Sequence, residues 1–258
     1  MPSAMDRSMK KQLDAYVAPG GLLELATIER FGVPLPVFRH APPSLPAFFA
    51  HYCARHGDAP FLIDGHIRLS FAQSHAAAVS LARRLIAADA VSPGEPVGIA
   101  ARNSANWVVA YMAVLIAGGC ATLINGWWTG REMADAIALA GCRTVLADPT
   151  RAARLEGEAC PARIVTFSHG VEPDEMLGGH LVDEAQTPLH EALPETGPDD
   201  LATILFTSGS TGLAKGVASD HRAVIHAALN FAAQTLMVLG HMIERQEAPV
   251  FPPASLVA

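Results

Sequence analysis

The sequence predicts an α/β protein: a mostly parallel sheet of βαβ units with helices on both faces. Three observations carry that prediction. From residue 97 onward, short apolar runs rich in β-branched residues alternate with stretches of helical period. The spacers between successive runs are long enough to hold a helix, and parallel strands require such crossovers, which are right-handed. The segment Trp107 to Ile124 (WVVAYMAVLIAGGCATLI) has no charge over 18 residues, as expected of elements buried on both sides. The chain has 258 residues, which at roughly 150 residues per domain is enough for one to two domains with a sizeable core.

Taken in order, residues 1–46 read as an N-terminal arm. Pro34, Pro36, Pro42, Pro43 and Pro46 break any long helix there. Leu45 to His56 reads as a short amphipathic helix stopped by Gly57. Phe61 to Ile63 and Ile67 to Leu69 flank Asp64-Gly65, a two-residue hairpin signal. Ser70 then caps a helix with Ala76, Val79, Leu81, Leu85 and Ile86 on its apolar face. Val97 to Ala101 is a strand, Ser104 to Ala117 a helix, and Cys120 to Ile124 a strand. Thr129 caps a helix from Gly130 to Ala140 that Gly141 terminates. Strands follow at Arg143 to Ala147 and at Arg163 to Phe167, with a helical stretch around Arg151 to Glu158 between them. Ser168 to Asp200 is a polar connection. Leu201 to Phe206 is a further strand, Val217 to Ser219 another, and Asp220 to Glu244 a long helix.

Composition excludes several classes of function. The 18 Lys and Arg against 25 Asp and Glu give a net charge of −7, which disfavours a nucleic-acid partner bound through a basic surface. Mean hydropathy of +0.26 and a charged fraction of 17% exclude disorder. Cys53, Cys120, Cys142 and Cys160 are scattered, with no C-x-x-C pair and no histidine at ligand spacing. They read as free thiols in a reducing compartment, neither a disulfide framework nor a metal site. Met1 to Asp14 has no apolar signal region, so the expected location is cytoplasmic. Trp107 to Ile124 meets the crude length test for a membrane span. Gly118-Gly119 divides it into a helix and a strand, so no transmembrane segment is expected.

The segment that carries chemistry is Thr207-Ser208-Gly209-Ser210-Thr211-Gly212-Leu213-Ala214-Lys215-Gly216, directly after an apolar strand. Glycines let consecutive backbone N–H groups converge on an anion, hydroxyls add neutral donors, and Lys215 adds a positive charge. That combination suits a polyphosphate. A lysine about 4 Å from a phosphate charge attracts it by roughly 4 kcal/mol at an effective dielectric of 20. A Walker A loop needs Gly-Lys, and the order here is Lys215-Gly216. A dinucleotide fingerprint needs a first glycine that is missing before Gly209, and a nucleophile elbow fails likewise.

The strand followed by T-S-G-S-T-G-x-x-K-G closely resembles the signature of the adenylate-forming superfamily: acyl-CoA synthetases, peptide-synthetase adenylation domains and luciferases. Ala214 stands where that signature usually has proline. Val97 to Asn125, with Arg102-Asn103-Ser104 before Trp107, is similar to the start of the family's first subdomain. Asn125-Gly126-Trp127-Trp128-Thr129-Gly130-Arg131-Glu132 resembles a stretch of fatty-acyl-CoA synthetase-like members. The resemblance implies an acid–CoA ligase of the AMP-forming kind, in which a carboxylic acid, expected to be fatty, is activated by Mg2+-ATP to an acyl-adenylate and passed to coenzyme A. It implies that Thr207, Ser208, Gly209, Ser210, Thr211, Gly212 and Lys215 hold the ATP phosphates. Nucleotide and carboxylic acid are then the partners, no catalytic residue is assigned, and no protein metal site is expected.

Other residues are read as structural. His221 belongs to the first turn of the last helix, Trp127 and Trp128 to packing beside a strand end, and Asp199-Asp200 to a solvated turn. The apolar helix from Asp220 to Glu244 reads as core, including Phe231, Met237 and Met242. The family's later motifs do not occur, and Ser255-Leu256-Val257-Ala258 is strand-like. Residues 47–258 are therefore expected to be an incomplete AMP-binding domain, inactive alone. The competing expectation is a non-catalytic remnant that serves as a phosphate-binding or association module.

Overall fold

The computed structural model describes residues 3–176, 192–207 and 215–246, together with the backbone of 256–257. The chain divides into two compact units, Met1–Pro42 with Arg222–Pro252, and Pro43–His221 with Pro253–Ala258.

The first unit opens with a helix, α1 (Ala4–Val17), where an irregular arm was expected. The prolines that prompted that expectation all lie beyond it, at 34 and later. Ser3 and Asp6 form a reciprocal capping box, with Asp6 N–H donating to Ser3 Oγ at 3.1 Å and Ser3 N–H to Asp6 Oδ2 at 2.7 Å. Then β1 (Leu25–Arg30) and β2 (Val33–Phe38) pair antiparallel. Pro34 and Pro36 sit at alternate positions of β2, so their missing N–H groups fall on one edge of a two-stranded ribbon.

The second unit begins with α2 (Leu45–His56), capped by Ser44. A hairpin of β3 (Pro60–Asp64) and β4 (Ile67–Ser70) follows. Asp64 pairs with Ile67, so the turn is Gly65-His66, one residue later than expected, with Gly65 at φ +61°. Ser70 and Gln73 form a capping box for α3 (Phe71–Ala87). Its buried stripe is Ser74, Ala78, Leu81, Ala82 and Leu85. Ala76, expected on that stripe, is exposed, because a period of 3.6 carries it to the solvent side.

The central sheet follows. Its elements are β5 (Pro96–Ala100), α4 (Ala105–Ile116), β6 (Cys120–Leu123), α5 (Gly130–Ala140), β7 (Thr144–Ala147), α6 (Pro149–Leu155), β8 (Arg163–Thr166), β9 (Leu201–Thr207) and β10 (Lys215–Asp220). The strand order is β10-β9-β6-β5-β7-β8. All neighbours are parallel except β9 and β10. From β5 the chain steps one way to β6, then crosses back over β5 to β7. Right-handed crossovers therefore place α4 and α5 on opposite faces of the sheet. In agreement, α4 packs with α2 and α3, and α5 with α6.

The uncharged run from Trp107 to Ile124 becomes most of α4 and all of β6, both in the core. Val109, Met112, Leu115 and Ile116 are buried, each contributing about 1.5–3 kcal/mol of hydrophobic stabilisation. Ser104 Oγ caps α4 by accepting from Trp107 N–H at 3.1 Å. Thr129 and Glu132 box the start of α5, and Gly141, at φ +70°, ends it in the left-handed region.

The last helix, α7 (His221–Glu244), lies for most of its length in the first unit. The sequence suggests a core helix. The structure buries only one stripe, His221, Ile225, Leu229 and Ala233, and leaves Phe231, Val238 and Ile243 exposed. At 24 residues with a peak mean hydropathy of 1.5, α7 is long and apolar enough by composition to cross a membrane. Near its end, Glu244 accepts from Ser8 Oγ at 2.6 Å, Gln12 Nε2 at 2.9 Å and Lys11 Nζ at 3.0 Å, tying it to α1. Last, β11 (Leu256–Val257) adds parallel to β3.

Candidate functional site

Because β5, β6 and β9 run parallel, their carboxyl ends share one edge of the sheet, where ligands of open α/β folds bind. A cleft of about 730 Å³ lies along that edge. Ala101, Arg102 and Asn103 enter it from the end of β5, Leu123 to Trp127 from the end of β6, and Leu205 and Phe206 from β9. Trp107 of α4 and Arg151 of α6 complete the lining.

Two of the seven residues singled out from the sequence, Thr207 and Lys215, are described. Thr207 ends β9 and Lys215 begins β10, and the two pair directly across the antiparallel ladder. Lys215 therefore stands on a strand, not within the loop. Thr207 immediately follows Phe206 of the cleft wall, so β9 ends at the cleft's edge. Ser208, Gly209, Ser210, Thr211 and Gly212 lie outside the described residues.

The cleft wall is braced from behind. Asp148, 1% exposed, caps α6 through Oδ1, which accepts from Arg151 N–H at 2.9 Å. Its Oδ2 accepts from Arg102 N–H at 3.0 Å and from Arg151 Nη1 at 3.1 Å. Arg151 Nε donates to the Gly126 carbonyl at 2.9 Å. Arg154 Nη1 donates to the same carbonyl at 3.0 Å and to that of Trp128 at 3.2 Å. A Cβ at Gly126 would lie 3.1 Å from Arg151 Nε, and one at Gly130 only 1.9 Å from the Arg154 carbonyl oxygen. Gly130 needs glycine because the α6 backbone presses against it, and a Cβ at Gly126 would crowd the Arg151 guanidinium and the Ala101 carbonyl. Sequence reasoning names Arg102 and Asn103 only as part of the family resemblance, not as site residues, and it missed Arg151 and Arg154. The available signal was Asp148-Pro149 after a strand, an N-cap with an arginine three residues on.

The two tryptophans divide their roles. Trp128 packs edge-on against Phe206, ring centroids 5.7 Å apart, as the strand-end reading holds. Trp127 is 88% exposed at the cleft. His221 is structural: its buried Nδ1 accepts from Leu45 N–H at 3.1 Å, and burial holds its pKa below the usual histidine value. Asp200 Oδ2 closes a turn on Gly197 N–H at 2.7 Å. The cysteines are free thiols. Burial pushes Cys120 up to about 12 and Cys142 up to about 11. Among the described residues, no group of three His, Cys, Asp or Glu side chains gathers to hold a metal ion.

A cleft at the carboxyl edge of a mostly parallel sheet, with the β9–β10 ladder at its side, is the arrangement in which open α/β folds bind ligands. The chain belongs to the family of AMP-binding enzymes, whose model matches residues 49–249. It is 32% identical over 212 residues to 4-coumarate–CoA ligase-like 3 of Oryza sativa subsp. japonica, covering 72% of this chain and 35% of that protein. It is 28% identical over 157 residues to nonribosomal peptide synthetase ecdA of Aspergillus rugulosus, covering 61% of this chain and 2% of that one. The chain thus spans about a third or less of these relatives' lengths. In fold it is similar to the Klebsiella oxytoca NpsA N-terminal subdomain, solved with 3-hydroxybenzoyl-AMSN, at a TM-score of 0.55 and 19% identity over 69% of this chain and 41% of that one.

Proposed function

We propose that this chain forms the nucleotide-phosphate side of an active site that activates a carboxylic acid as its acyl-adenylate. The observation that carries the reading is the Thr207 and Lys215 pair at the end of the β9–β10 hairpin, beside the cleft. In the reaction a carboxylate oxygen bonds to the α-phosphorus of ATP and the bond to pyrophosphate breaks. The Thr207 hydroxyl and the Lys215 ammonium offer a neutral and a charged donor to the departing phosphates, with Ser208, Gly209, Ser210, Thr211 and Gly212 supplying further donors. Mg2+ neutralises phosphate charge, and it arrives with the nucleotide.

The finer reading is an acid–CoA ligase in which a coenzyme A thiol displaces AMP from a fatty acyl group. The Asn125 to Glu132 segment supports it by resemblance, as does the ligase named above, while the peptide-synthetase relative supports acid activation alone. Mg-ATP titrated calorimetrically into the chain tests the core of the proposal. Lys215→Ala is expected to raise the Kd about tenfold, equal to roughly 1.4 kcal/mol. An unchanged Kd would remove Lys215 from the site.

A further inference from the structure

We infer that Arg151 is a positioning residue, which through the Gly126 carbonyl sets the Asn125–Trp128 wall of the cleft against the end of β9. A continuous set of contacts carries this. The guanidinium is held on one side by buried Asp148 and donates on the other to Gly126. Two residues on, Trp128 packs on Phe206, whose neighbour Thr207 opens the phosphate loop. Arg102 N–H hangs on the same carboxylate, so one ion pair fixes the cleft lining contributed by both β5 and β6. The planar fork is essential, since Nε and Nη1 serve two acceptors in fixed directions, and a lysine ammonium cannot reproduce that pairing. Trp127, whose N–H donates to Asn125 Oδ1 at 3.0 Å, stands exposed at the cleft on the same wall. The inference rests on the proposed nucleotide site only for its effect on binding, not for its effect on the wall.

The protein carries its own probe. Its three tryptophans are Trp107, Trp127 and Trp128, and each either lines the cleft or packs on Phe206. Intrinsic emission therefore reports this wall. Arg151→Lys is expected to increase acrylamide quenching of that emission and to raise the Kd for Mg-ATP about tenfold, the scale of one lost charge-assisted hydrogen bond. Gly126→Ala attacks the same contact from the opposite side and should give the same quenching and Kd changes. The double variant should be no worse than either single one, as expected of a shared contact. Melting curves set the working temperature well below each transition. If Arg151→Lys melts earlier but leaves quenching and Kd unchanged, Arg151 only supports the fold and the inference fails. Additive effects in the double variant would also overturn it. If wild-type chain shows no Mg-ATP binding, the proposed function fails, while the quenching comparison still decides the role of Arg151.

Discussion

Removing the Asp148 carboxylate should be among the most damaging single changes outside the apolar core. In Asp148→Ala, α6 loses its cap, worth about 1 kcal/mol. Arg151, with its side chain 11% exposed, loses its partner, and breaking a buried pair in this way costs about 3–5 kcal/mol. The Arg102 N–H loses its acceptor too. These groups form one network, so their costs overlap and do not add. The total is therefore about 3–5 kcal/mol. At roughly 2–4 °C per kcal/mol for a chain of this size, the melting temperature should fall by about 10 °C. Asp148→Asn keeps one acceptor for the cap but gives up the charge, so it should fall in between. Circular dichroism at 222 nm during heating reads both variants. A fall under about 2 °C for the alanine variant would refute the idea that this carboxylate holds the network together.

Two further expectations follow from buried groups. His221 is neutral in the fold because burial lowers its pKa below its unfolded value, against the weaker opposing pull of Asp200 and Asp220. The unfolded chain thus binds the extra proton, and stability should decline as pH falls below about 6.5, the unfolded value. His75 shifts in the same direction through burial, so melting temperatures between pH 7.5 and 5.5 should be compared with those of His221→Gln, which should show a smaller decline. The same decline in the variant would remove His221 from the account. Thiol labelling at pH 8 should modify half-buried Cys160 first. The thiolate fraction of Cys120, with its pKa at about 12, is about 10⁻⁴, so it should react only after unfolding. Release of more than one equivalent of chromophore from native protein within minutes would contradict this.

How far the fold could be read from the sequence depended on whether the information was local. Ser70, Ser104 and Thr129 announce helix starts because a cap is a contact over three residues, and Gly141 announces a stop for the same reason. The alternation of strands and helices predicts a mostly parallel sheet, and the sheet has that form. The strand order was not legible, because the step back across β5 to β7 depends on packing between distant segments. The N-terminal helix was obscured by prolines that lie after it. The long apolar helix looked like core because composition does not say which faces find a neighbour. At the site, Thr207 and Lys215 stand out by residue type next to a strand. The Asp148, Arg151 and Gly126 connection joins segments 25 residues apart, and no local pattern announces it.

The cross-strand pairing of Thr207 with Lys215 has a consequence for how charge is delivered. A lysine in the middle of a glycine-rich stretch would move with that stretch. Here its Cα is pinned to the sheet, and only a four-carbon tether is free to swing. The ammonium therefore samples a sphere centred on a fixed point, and the position opposite it becomes a dial. A carboxylate placed there would draw the charge sideways along the ladder, while a small neutral residue leaves it facing outward. On the proposed reading of the site, a substitution at position 207 would retune phosphate affinity while leaving the lysine itself untouched.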